Sequence, residues 1–88
     1  MKYVTLDCTP MVDESSVHDT FAASLDFPAS YGRNLDALYD ILTSCGELEL
    51  KLVNTQAIAK LFRYGDNLML TLKDADKDNP LFTLVVED

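Results

Sequence analysis

Apolar and polar positions alternate with a period that changes several times along the chain. From Lys2 to Asp7 the run Tyr3, Val4, Thr5, Leu6 is short and rich in strand formers, and Thr9-Pro10 closes it; this predicts a strand and a turn. Val17, Phe21 and Leu25 then recur every four residues with Ala22 beside them. That spacing predicts a helix packed by one face, capped by Ser15 or Ser16 and stopped before Pro28.

A second helix is predicted from Leu35 to Thr43, because Asn34 can accept an orphan backbone N–H as its N-cap. At 100° per residue, Leu35, Leu38 and Leu42 lie within roughly 60° of one another, and Ile41 widens the stripe. Asp36 and Asp40 sit about 160° either way from Leu38 and share the opposite, solvent face. Leu48 to Leu52 alternates cleanly, as expected of a strand near a sheet edge with one face packed. Asn54 or Thr55 can cap a short helix bearing Ile58, Leu61 and Phe62, and Gly65 is placed to end it in a left-handed conformation before a restart at Asp66. Leu68, Leu70 and Leu72 alternate like a strand, while Leu68, Leu72 and Ala75 match helical spacing, so the pattern leaves both open. A strand would form a hairpin with Leu81 to Val86; a helix would cross over into it.

Size and charge then narrow the function. The 88 residues carry no linker, repeat or low-complexity tract, so one domain over residues 1–88 is expected. Such a chain buries only about 60% of its unfolded surface, leaving little spare stability for an elaborate active site. Fifteen acidic residues against seven basic give a net charge of −8. That charge argues against nucleic acid or anionic lipid as a partner and for a cationic protein. Cys8 and Cys45 are too few and too far apart for a disulfide framework or a zinc site, which fits a reduced, cytoplasmic setting. The start MKYVTLDCTP lacks the apolar run of a secretory leader, and no stretch approaches a membrane span, so a soluble protein is expected.

Few residues offer catalytic chemistry. His18 has no serine or cysteine arranged with it as a nucleophile–base pair and reads as a partly exposed helix residue. Gly32, Gly46 and Gly65 are too dispersed to cradle a phosphate. Asp74, Asp76 and Asp78 resemble the opening of a calcium loop, but Asn79 stands where glycine is needed and Val85 where a bidentate glutamate is needed. If the segment is helical, those aspartates crowd a C-terminal turn whose dipole disfavours anions. Asp74 with Asp78, and Asp36 with Asp40, are also like-charge pairs one turn apart. Chains tolerate such conflicts most readily where a partner supplies positive charge, so both ladders are candidates for a cation-facing surface. Tyr31 and Tyr39 flank the first ladder, as suits an interface.

The stretch Phe27-Pro-Ala-Ser-Tyr-Gly-Arg-Asn-Leu-Asp-Ala-Leu-Tyr-Asp-Ile-Leu-Thr43 resembles the signature of the barstar family of intracellular ribonuclease inhibitors. Weaker similarity covers nearly the whole chain, including Val17-His18 with Thr20 in the first helix and the region from Leu72 to Val86. The resemblance implies an α/β fold with a three-stranded parallel sheet packed against about four short helices, and a helix from about Asp66 to Asp78. It also implies an inhibitor and not an enzyme, with no cofactor, monomeric when free, that plugs the active site of a small basic secreted ribonuclease. Carried over, Asp40 matches the aspartate that takes the substrate-phosphate position, and Asp36 a second interface aspartate. Tyr31, Asn34 and Thr43 match family positions, Tyr39 replaces a tryptophan, and Asp74 and Asp78 match two glutamates of the final helix. Ser30 stands where the family has an aromatic residue, Arg33 where it has an acid and Cys45 where it has a tryptophan. Those changes point to a diverged ribonuclease as partner. The alternatives are an immunity protein against a delivered toxin nuclease and a small acidic metal-dependent enzyme using Asp74, Asp76 and Asp78, which the missing glutamate and glycine disfavour.

Overall fold

The computed structural model describes residues 1–87. Its elements run β1 (Lys2–Asp7), α1 (Glu14–Leu25), α2 (Leu35–Ser44), β2 (Leu48–Val53), α3 (Gln56–Ala59), α4 (Arg63–Asp78) and β3 (Phe82–Val86). The three strands form one parallel sheet in the order β1-β2-β3, an α/β fold. No helix among the described residues is long and apolar enough to cross a membrane.

β2 is therefore the central strand and not an edge, with Leu50 opposite Val4 on one side and Leu84 on the other. Its clean alternation has a different cause: Leu48, Leu50 and Leu52 are buried, whereas Glu49, Lys51 and Val53 on the reverse face are only half-buried. The alternation reports how unequally the two faces are covered, which is independent of a strand's place in the sheet. On the packed side Leu6, Leu50, Leu52 and Phe82 meet Phe21 of α1, Leu38 and Leu42 of α2, and Leu68 and Leu72 of α4 in one core.

Local capping chemistry explains where α1 and α2 begin. The N-cap of α1 is Asp13 and not Ser15 or Ser16: its Oδ1 accepts from the Ser16 N–H at 2.8 Å, and Ser16 Oγ accepts from the Asp13 N–H at 2.9 Å. Ser16 is thus the reciprocal half of a capping box. Asn34 caps α2 as expected, its Oδ1 accepting from the Ala37 N–H at 2.7 Å. The stretch that satisfied both periods is helical, with Leu68, Leu72 and Ala75 buried and Leu70 exposed.

Gly65 does not end a helix. It lies buried within α4, which begins at Arg63, ahead of the expected Asp66. A Cβ on Gly65 would sit 2.1 Å from the Ile58 carbonyl oxygen, so glycine is required for the close approach of α3 and α4. The chain reverses instead at Phe62, with φ 56°.

Candidate acidic interface

The leucine stripe of α2, Leu38 and Leu42, points into the core and leaves Asp36 and Asp40 exposed on the other side. α2 packs lengthwise on α4, and this brings the second ladder, Asp74 and Asp78, onto the same flank of the molecule. Tyr39 joins the two helices. Its half-buried ring packs against the core, and its hydroxyl donates to Asp78 Oδ2. The Tyr39 phenol is pushed above its ordinary pKa first by that hydrogen bond, then by burial and by the charges of Asp78, Asp74 and Asp40. Carboxylates from both helices therefore converge around one hydroxyl. Among the described residues, the ion pairs Arg33–Asp19 and Lys51–Glu87 involve none of Asp36, Asp40, Asp74 and Asp78.

Thr43 is half-buried, and its Oγ1 donates to the Tyr39 carbonyl at 2.8 Å. Tyr31 lies inside the molecule, only 8% exposed. Its hydroxyl is 2.6 Å from His18 Nδ1, and His18 Nε2 is 2.6 Å from the Tyr64 hydroxyl on α4. The structure thus places Asn34, Asp36, Asp40, Asp74 and Asp78 at the surface, Tyr39 and Thr43 half-buried, and Tyr31 beneath the loop that carries it.

His18 is 2% exposed and not the partly exposed residue expected from its place on α1. A neutral imidazole has one donor and one acceptor, so one tyrosine hydroxyl accepts from the ring and the other donates to it. Burial, followed by the neighbouring Arg33 charge, lowers the His18 pKa against the opposing charges of Glu14 and Asp19. With both ring nitrogens committed to tyrosine hydroxyls, His18 has no nitrogen left to serve a nucleophile as base.

A second buried polar residue also escaped the pattern. Asn79, 6% exposed, donates through Nδ2 to the Leu42 carbonyl at 2.9 Å and accepts the Leu81 N–H on Oδ1 at 3.0 Å. It satisfies a carbonyl at the end of α2 from a position just beyond α4, so it holds the two acidic helices in register. An Asn after a helix is a recognisable stop signal; which helix it serves is visible only in three dimensions.

Asp74 to Asp78 form the last turn of α4, a helical path that cannot wrap a cation as a calcium loop does. Among the described residues no group of three or more His, Cys, Asp or Glu side chains is placed to hold a metal ion. A recess of about 430 Å³ between the ends of α1 and α2, lined chiefly by Leu25, Phe27, Ile41, Leu42 and Cys45, contains none of the four ladder carboxylates.

Residues 1–87 match the family model described as Barstar (barnase inhibitor). The chain belongs to the barstar family. It is also 32% identical over 91 residues to YrdF of Bacillus subtilis (strain 168), described as a candidate ribonuclease inhibitor, covering 99% of this chain and 100% of that one.

Proposed function

We propose that this protein is an intracellular inhibitor of a small basic ribonuclease, acting without catalysis by seating α2 and the loop before it in the enzyme's cationic active site. Family membership and the resemblance to YrdF support the inhibitor role. The observation that carries the finer reading is the convergence of Asp40, Asp74 and Asp78 on Tyr39 across α2 and α4, with those carboxylates turned to solvent. A surface of this kind is costly in isolation and favourable against fixed positive charge. In this reading Asp40 occupies the position of a substrate phosphate, Asp36 and Asn34 border it, and Asp74 and Asp78 extend the negative surface outward. Tyr39 and Thr43 contact the partner at the edge of α2, and Tyr31 supports the loop from beneath. The exchange of aromatic family positions for Ser30 and Cys45 favours a diverged enzyme of the same basic class.

Titration of the purified protein into barnase and other basic microbial ribonucleases, with RNA cleavage as readout, tests the proposal. Stoichiometric inhibition that weakens with added salt is expected, because opposite net charges steer the encounter and salt screens them. Full cleavage of RNA by every enzyme at saturating protein would overturn it.

A further inference from the structure

The loop between α1 and α2 is tied to α1 from two sides. Inside, the Tyr31 hydroxyl meets His18. Outside, Arg33 Nη1 lies 2.8 Å from Asp19 Oδ1, and Nη2 donates to the Ser15 carbonyl at 3.1 Å and to Ser15 Oγ at 3.2 Å. Ser15 and Asp19 are one helical turn apart, so a single planar guanidinium spans both. Arg33 also adopts φ 56°, in the left-handed region that residues with a Cβ avoid. From this disfavoured backbone conformation the side chain makes three contacts to another element, an outlier of the kind that points to a role for what it holds.

We propose that Arg33 is a positioning residue that straps the segment from Tyr31 to Asn34 onto α1, so that the N-cap of α2, and with it Asp36 and Asp40, is set before a partner arrives. Its effect on binding rests on the inhibitor reading; its effect on the loop does not. Asp19 has a second part, since it neutralises a cation that would otherwise repel a basic enzyme beside the acidic face. The two side chains are 44% and 66% exposed, so the pair adds little to global stability. Its action is local, on how often the loop opens.

Three variants test this. Asp19→Asn cuts the ion pair without touching the loop. Arg33→Gly removes every contact while relieving the left-handed backbone. Asp66→Asn, an exposed acid on α4, makes the same charge change as Asp19→Asn elsewhere. The readouts are amide hydrogen exchange at Tyr31, whose N–H bonds the Pro28 carbonyl, and at Ala37, whose N–H bonds Asn34, together with dissociation from barnase and the urea midpoint. Asp19→Asn should speed loop exchange and dissociation by roughly two- to five-fold, the scale of an exposed ion pair, and Arg33→Gly by more. The urea midpoint of Arg33→Gly should hold or rise, and Asp66→Asn should leave loop exchange and dissociation unchanged. Unchanged loop exchange in both strap variants, or faster exchange with unaltered dissociation, overturns the positioning role. If the parent protein does not bind barnase, the inhibitor reading fails for that enzyme, and loop exchange alone still supports or overturns the strap.

Discussion

The hydroxyl of Tyr39 on α2 donates to the Asp78 carboxylate on α4, a side-chain hydrogen bond that ties the two acidic helices together at the surface. Hydrogen bonds to an ionised acceptor are stronger than neutral ones, and this one leaves the remaining lone pairs of Asp78 open to a partner.

Tyr39→Phe should therefore loosen α2 against α4 while keeping the ring in place. The folded-state pKa of Tyr39 is raised above its ordinary 10.0, so the folded protein holds this proton more tightly than the unfolded chain. The stabilisation is fully present below about pH 10 and is lost as pH rises through the folded value. Urea unfolding at pH 8 and at pH 10.5 checks this. The parent should lose more stability across the interval than Tyr39→Phe, and equal losses would show the hydroxyl contributes nothing.

Asp40→Ala should weaken ribonuclease inhibition far more than Asp74→Ala or Asp78→Ala. Truncating a carboxylate buried against several cations leaves them unpaired and costs about 2–5 kcal/mol, a scale taken from charge pairs in the family's own barnase–barstar complex. Carboxylates at a rim lose mostly screened attraction. The free protein should be unchanged or slightly stabilised, since the substitution removes a like-charge neighbour of Asp36 and installs a better helix former. Inhibition constants and urea midpoints for the three variants provide the comparison; inhibition by Asp40→Ala at the parent level would rule out the phosphate mimic.

Mild acid should destabilise the protein through His18. The His18 pKa is lowered from 6.5 by burial and by Arg33, with Glu14 and Asp19 opposing, so the unfolded chain takes up this proton first. The contribution of His18 is present above about pH 6.5 and is lost as pH falls towards the folded value, at a slope of at most about 1.4 kcal/mol per pH unit. Denaturation between pH 7.5 and 5.5 should show that slope in the parent. A His18→Gln variant, less stable at neutral pH, should lack it.

Gly65→Ala should destabilise, against the usual gain of about 1 kcal/mol for this change inside a helix. The new Cβ would press on the backbone oxygen of Ile58, which moves only if α3 and α4 separate, at a cost of about 1–3 kcal/mol. A urea midpoint at or above the parent's would contradict the close-approach role.

What the amino-acid order determined by itself is the set of features that depend on near neighbours. The strand at Lys2–Asp7, the one-sided helix around Val17 and Phe21, the Asn34 cap and the solvent-facing pair Asp36 and Asp40 all follow from period and capping chemistry, which act over a few residues. The family signature extended this to the helical state of α4, which period could not decide because Leu68 and Leu72 satisfy both repeats. Tertiary structure alone decided the remainder. β2 became central because strands on both sides pair with it, a fact its own alternation cannot encode. Gly65 answers to Ile58, His18 to Tyr31 and Tyr64, and Asn79 to Leu42, partners separated in the chain and joined only by packing. The same packing brings Asp74 and Asp78 beside Tyr39 and Asp40: each ladder is legible on its own helix, but their merging into one charged surface depends on how α2 lies against α4, which is set by the fit of two apolar stripes in a shared core.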